Sequence, residues 1–291
     1  MTITVYDRRT ATLIQEPQYG AKKLQFLYET IPGRIILRLF ICGRWYSRYN
    51  ARRENSPKSA ANIAPFVKQY GIDLSEFEQR EYTSFADFFT RKILPDRRPV
   101  AQAKGALIAV ADSKLLAYHI GADTTIPMKH SVYTVGELIG DETAAAQYSG
   151  GLCLVFRLTV DDYHHYCFPD SGRLVENRTI AGRLHTVSPI SARRHKVYCE
   201  NTRVISRLET DQFGEVMQIE VGALLVGKIN NRAVTEFARG EEKGYFELGG
   251  STCVLLFRAG TILLDMDIDE NSKRGIETKV RIGESIGQKE D

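Results

Sequence analysis

Three short polar strings interrupt the apolar patterning of this 291-residue chain, and each holds residue types that could do chemistry. The first, Gly249-Gly250-Ser251-Thr252, lies between two apolar, β-prone runs, Gly244 to Leu248 and Cys253 to Phe257. A serine hydroxyl that follows a glycine at a rigidly held turn can attack the carbonyl on its own N-terminal side. Glycine has no Cβ to block the approach or forbid a strained backbone. Such a chain would cut itself between Gly250 and Ser251; the plain alternative is a tight hairpin turn. The second string, Ala109-Val110-Ala111-Asp112-Ser113-Lys114-Leu115, puts a carboxylate between two strand-like segments, where an ordinary turn at Asp112-Ser113 is the alternative. The third runs from Asp161-Asp162-Tyr163-His164-His165-Tyr166-Cys167 to Pro169-Asp170-Ser171-Gly172. It sets two imidazoles and a thiol in one loop, with a surface loop holding a buried aromatic as the bland reading.

These strings need elements to position them. Up to about Arg97 the patterning is helical: Ser84 is a capping residue, and Phe85, Phe88 and Phe89 share a face in the segment that follows. Beyond Pro99, short strands and glycine turns take over. Leu152, Leu154, Phe156, Leu158 and Val160 alternate with Cys153, Val155, Arg157 and Thr159, the period of a strand. Further strands are expected near Leu107 to Ala111, Val204 to Leu208, Val216 to Val221, Thr235 to Phe246, Cys253 to Phe257 and Thr261 to Leu264. The expected class is α+β: a helical region over 1–97, then a β-rich, mainly antiparallel body over 98–291 with barrel-sandwich-like features. The last five residues, Gly287 to Asp291, read as a frayed tail.

Composition narrows the function classes. A formal net charge of +3, without zinc-finger spacing or a long basic block, points away from nucleic acid. Five scattered cysteines, none in a C-x-x-C pair, suit a reducing compartment. No run reaches the ~18 to 20 apolar residues that span a bilayer, and Met1 to Arg9 lacks a signal-peptide core. From Lys22 to Lys58, however, Leu24, Phe26, Leu27, Ile35, Ile36, Leu39, Phe40 and Trp45 interleave with Lys23, Arg34, Arg38, Arg44, Arg48 and Arg52. That mixture suits an anionic lipid surface, each nearby cation adding about 1 kcal/mol of attraction. A helix packed on its own domain with a solvated basic face is the alternative.

The order of the motifs then carries a resemblance. Phe88-Phe89-Thr90-Arg91, Ala111-Asp112-Ser113, Asp162-Tyr163-His164, Pro169 to Gly172, His185-Thr186-Val187, Glu200-Asn201-Thr202-Arg203, Val221-Gly222-Ala223 and Glu241 to Phe246 running into Gly249-Gly250-Ser251-Thr252 resemble the phosphatidylserine decarboxylase family, from about Phe85 to Gly283. The resemblance implies a proenzyme that makes its own cofactor. Ser251 would form an ester with Gly250, and elimination and hydrolysis would leave a covalent pyruvoyl group at position 251. Its ketone can take up the amino group of a serine head group and act as electron sink, much as pyridoxal phosphate would. The implied partners are phosphatidylserine and an anionic phospholipid membrane, met peripherally on the cytoplasmic side. The large and small chains of one proenzyme would stay together, with a homodimer as an option and no metal.

His164 is the expected proton donor and acceptor. Many family members carry a second histidine three residues later, paired with an aspartate and the serine; this chain has Cys167 there. A thiol with an ordinary pKa of about 8.5 is mostly protonated and no substitute for imidazole. Two repairs are open: His164 serves both self-cleavage and proton transfer, oriented by Asp112; or His165 turns inward beside Cys167. Cys167, His165 and Thr252 are kept as accessory positions. Rival functions are a pyruvoyl-dependent decarboxylase of a soluble amino acid and a non-maturing relative that binds lipid or protein. A biotin- or lipoate-type carrier domain ranks last, since the Gly249-Gly250-Ser251 turn displays no lysine.

Overall fold

The computed structural model describes residues 2–17, 20–128, 131–192, 194–224 and 228–290. Met1 and Asp291, and the side chain of Arg44, lie outside what is described.

The alternation read in Leu152–Leu158 becomes a central strand of an open ten-stranded sheet. From one edge to the other its strands are Glu236–Phe237, Gly172–Ile180, Arg203–Thr210, Gly214–Val221, Ser251–Phe257, Leu152–Leu158, Ser113–His119, Glu277–Val280, Thr2–Asp7 and Thr12–Pro17. Neighbours are antiparallel except Thr2–Asp7 beside Glu277–Val280. The α+β expectation with a mainly antiparallel body is met, and the sheet does not close into a barrel. Ahead of the helices the structure adds a hairpin, Thr2–Asp7 with Thr12–Pro17, that extends this sheet. The expected Thr235 to Phe246 strand is divided into Glu236–Phe237 and Glu242–Glu247 by a turn in which Gly240 takes φ +79°. The tail is not frayed: Ser285–Lys289 pairs with Ile262–Leu264 and with Ala106–Ile108.

Both faces of the central strands are covered. On one, Phe156, Leu158, Cys253 and Leu255 pack with Tyr166, Cys167 and Phe246; on the other, Val155, Val254 and Leu256 pack with Ile205, Met217 and Ile219. A smaller sheet, Lys228–Asn231, Glu242–Glu247 and His165–Cys167, lies over the first face.

The N-terminal helices Ala21–Glu29, Ile31–Ile36 and Arg44–Glu54 run in short pieces joined by a π turn at Leu37–Ile41. Gly33 permits the close crossing of the first two, since a Cβ there would run into the Phe26 carbonyl. The Phe85–Phe89 helix begins as its sequence suggests, with the Ser84 hydroxyl accepting from Asp87 N at 3.1 Å.

Candidate active site

Ser251 heads its strand, opposite Leu158, and the next residue pairs with Val221 on the other side. The turn before it is strained: Leu248 has φ +54° and Gly249 φ +79°. A leucine in the left-handed region costs on the order of 1–2 kcal/mol. Gly250 runs so close to the neighbouring strand that a Cβ would stand 3.2 Å from the Leu158 carbonyl oxygen. Strand alternation aims Ser251 at the same face as Cys253 and Leu255, beneath the smaller sheet. Its side chain is fully buried, and its Oγ makes no hydrogen bond; the same holds for Thr252 Oγ1, on the opposite face.

His164 sits where that smaller sheet crosses: Phe246 N donates to its carbonyl at 3.0 Å, two residues before Leu248. Its Nδ1 is 2.9 Å from the Asp162 carbonyl oxygen. A carbonyl only accepts, so Nδ1 carries the hydrogen and the Nε2 lone pair is free; Nε2 makes no hydrogen bond within the protein. The ring is fully buried and 4.3 Å from Phe89. Burial pushes its pKa down to about 3, with the Arg91 cation in the same direction and the carbonyls of Asp162 and Gly249 opposing. The imidazole is therefore neutral, a base with an available lone pair.

The Asp162 carboxylate holds this loop. Lys114 Nζ donates to both of its oxygens at 2.9 and 2.8 Å, and Thr159 N donates to it at 2.6 Å. Lys114 is fully buried and also pairs with Glu16 at 3.1 Å. Beside it Arg157 is locked to Glu277, with Nε to Oε1 at 3.0 Å. Neither Lys114 nor Arg157 was singled out as a site residue. The available signal was a cation next to the end of a largely apolar strand, which requires a counter-ion once it is buried.

Two expected arrangements are corrected. Asp112 does not orient His164: its carboxylate takes Arg98 Nε at 3.0 Å and Nη2 at 2.7 Å, and Ile282 N at 2.8 Å. Arg98 was out of view because it belongs to none of the three strings. His165 does not turn toward Cys167 either. Its Nδ1 is 2.9 Å from Glu242 Oε2 and its Nε2 3.3 Å from the Thr90 carbonyl oxygen, and its ring is stacked between Tyr163 and Tyr245. The Glu242 carboxylate of the neighbouring strand and the Thr90 carbonyl take up its two ring nitrogens. Cys167 is buried with its Sγ 3.9 Å from the Ala109 carbonyl oxygen. Burial, with Asp112 adding to it, pushes the thiol far up, so it stays protonated.

A cavity of about 320 Å³ reaches the scissile turn. Gly249, Gly250 and Val187 line it together with Leu24, Leu27 and Ile41 of the N-terminal segment, and charges of both signs, Lys23 and Arg157 with Glu16 and Asp161, stand in its wall. No helix among the described residues is long and apolar enough to cross a membrane.

The sequence matches the profile of the phosphatidylserine decarboxylase family over residues 85–288. It is 54% identical to phosphatidylserine decarboxylase proenzyme 2 of Clostridium acetobutylicum, over the whole of both chains. It is 39% identical to the phosphatidylserine decarboxylase proenzyme of Clostridium beijerinckii, covering 99% of each, and 38% identical to that of Clostridium perfringens strain SM101, covering 99% of this chain and all of the other. With the buried serine, the strained glycine turn and the neutral imidazole in the order that the motifs predict, the chain belongs to the phosphatidylserine decarboxylase family.

Proposed function

We propose that the chain is a self-processing proenzyme whose mature form converts phosphatidylserine to phosphatidylethanolamine, a carboxy-lyase reaction. The observation that carries the proposal is the Ser251 hydroxyl: fully buried, without a hydrogen bond, and directly after a left-handed Leu248-Gly249 turn. A hydroxyl in that state has nothing to lose by attacking the Gly250 carbonyl.

His164 Nε2 takes the hydroxyl proton as Oγ adds to that carbonyl. The peptide nitrogen leaves with a proton, and the chain is held by an ester. Removal of the hydrogen on the 251 Cα then breaks the Cβ–Oγ bond of the ester as the Cα=Cβ double bond forms, so that Gly250 departs as a carboxylate. The dehydroalanine left behind takes up water and loses ammonia, which makes the pyruvoyl group. Residues 1–250 become the larger chain and 251–291 the smaller. The residues present fit this group: position 251 heads a buried strand, and the neutral His164 imidazole is close enough to the preceding turn for the Gly249 carbonyl to act on it. The ketone supplies an electron sink for the pair left when carbon dioxide departs. His164 returns a proton to the substrate carbon, and Lys114 acts through Asp162 as a positioning residue that holds the loop.

The lipid substrate is supported by the N-terminal segment. Ile31 is 68% exposed, Leu39 66%, Phe40 60% and Trp45 71%, beside Arg34, Arg38 and Arg48. Leu24, Leu27 and Ile41 of the same segment line the cavity that ends at Gly250. We read this segment as a peripheral foot on the cytoplasmic surface of the membrane, with the head group reaching inward.

The test is the intact mass of the purified protein, together with carbon dioxide release from phosphatidylserine in floated anionic liposomes. Two fragments divided at Gly250/Ser251, the shorter bearing a carbonyl, and lipid-dependent release are expected. A chain that stays whole, or release from free serine but not from the lipid, overturns the reading.

A further inference from the structure

We infer that His185, His195 and Glu200 form a binding site for one divalent transition-metal ion of borderline softness, Zn²⁺ being the probe, next to the Thr186 to Ser188 segment that lines the cavity. Among the described residues these three place their ligand atoms within 4.8 Å of one another. His195 Nδ1 is 3.2 Å from Glu200 Oε2, and His185 Nε2 is 3.8 Å from the same oxygen. A tetrahedral ion with bonds of about 2.0–2.1 Å needs ligand atoms about 3.3 Å apart, close to the two imidazole-to-carboxylate distances. Two imidazoles and one carboxylate leave a fourth position for water.

The second observation is the state of His185. Its side chain is 2% exposed, yet Nε2 makes no hydrogen bond within the protein. A buried ring nitrogen without a partner is costly, and an ion would satisfy it. The other nitrogen is supported as a ligand's usually is: Nδ1 lies 3.3 Å from both the Tyr28 hydroxyl and the Cys42 thiol, either of which can accept its hydrogen and leave the Nε2 lone pair facing His195 and Glu200. The backbone of His185 is fixed as well, bracketed by Asn201 through His185 N to Oδ1 at 2.9 Å and Nδ2 to His185 O at 2.8 Å.

His195 is the member that must turn. The two rings are stacked at 4.0 Å with an interplanar angle of 20°, whereas a shared ion lies in the plane of each ring. At 28% exposure the His195 side chain has room to open. The ion would act as a clamp and not as a reactant. It would tie the Val197–Glu200 helix and His195 to the segment whose Thr186, Val187 and Ser188 line the cavity. Tyr28, which accepts from Thr186 N at 3.0 Å, extends the clamp to the first N-terminal helix.

The experiment takes the full-length protein, freed of metal by a chelator and dialysed. It titrates Zn²⁺ by calorimetry and Co²⁺ by its visible d–d bands. One equivalent bound in the micromolar range, a melting temperature that rises with Zn²⁺, and at least about tenfold weaker binding in both His195→Ala and Glu200→Gln are expected. Both side chains are partly exposed, so the variants need not disturb the core. No saturable binding below about millimolar Zn²⁺, or binding that the two variants leave unchanged, overturns the site.

Discussion

Replacing His164 by Gln should remove a defined share of the protein's acid sensitivity. The unfolded imidazole titrates at about 6.5, whereas the folded one is pushed down to about 3. Its folded pKa is depressed, so the stability linked to it is complete above pH 6.5 and is lost as pH falls toward 3, where the unfolded chain binds a proton that the folded chain refuses. The whole shift is worth about 5 kcal/mol at about 1.36 kcal/mol per pKa unit, and about 2 kcal/mol of it is already lost at pH 5. The ring is fully buried, so screening by solvent takes little from this figure. The assay is urea unfolding of the uncut Ser251→Ala chain at pH 8 and pH 5, with and without His164→Gln. Burial also lowers His185, to about 4, but that contribution is common to both chains and cancels. The Gln chain should lose about 2 kcal/mol less between the two pH values. Equal losses would mean that His164 titrates near its free value, and the argument for an available neutral base would fall with it.

Lys114→Met leaves the buried Asp162 carboxylate without its cation and Glu16 with Arg157 alone, which should cost about 3–5 kcal/mol and slow self-cleavage; urea unfolding and the time course of fragment appearance check both. His165→Ala and Cys167→Ala should each still mature, because the first is committed to Glu242 and Thr90 and the second is a protonated core thiol. A gel of freshly made protein decides this, and failure of Cys167→Ala to cut would restore the thiol to the mechanism. Leu39→Glu with Phe40→Glu should lower liposome flotation at least about tenfold, since burial of each apolar side chain is worth about 1.5–3 kcal/mol, while release of carbon dioxide from detergent-dispersed lipid persists.

Which of these features could be read from the chain follows from how local their causes are. The alternation of Leu152–Leu158 and the cap at Ser84 act within a few residues, and both elements stand where the patterns put them. The Thr2–Asp7 strand has β-branched residues of its own, but its inner partner is Glu277–Val280, at the other end of the chain, and nothing local announces that pairing. The tail reads as polar and loose by itself, yet two neighbouring strands hold it. The three polar strings do reach one region of the fold: Ala111 bridges to Tyr166, Tyr245 pairs with His165, and Ser251 pairs with Leu158. Their hydrogen bonds were not legible, because Arg98, the partner of Asp112, comes from a segment that the strings do not include, and Lys114 of the second string reaches Asp162 in the third, a pairing that nothing local announces.

The uncut state has an energetic logic. Ser251 Oγ, Thr252 Oγ1 and His164 Nε2 are buried without hydrogen bonds, each at a cost of about 1–3 kcal/mol, and Leu248 adds backbone strain. Such costs persist only where the surroundings over-determine the geometry. Here Ser251–Phe257 is paired along its length with Leu152–Leu158 on one side and with Gly214–Val221 on the other, while the segment before it is tied by Glu242–Glu247 to His165–Cys167. The two sides of the Gly250–Ser251 bond therefore belong to different sheets. Cutting that bond releases the strained turn without unpairing either strand, so the two chains should remain associated after cleavage and leave the new terminus held in place.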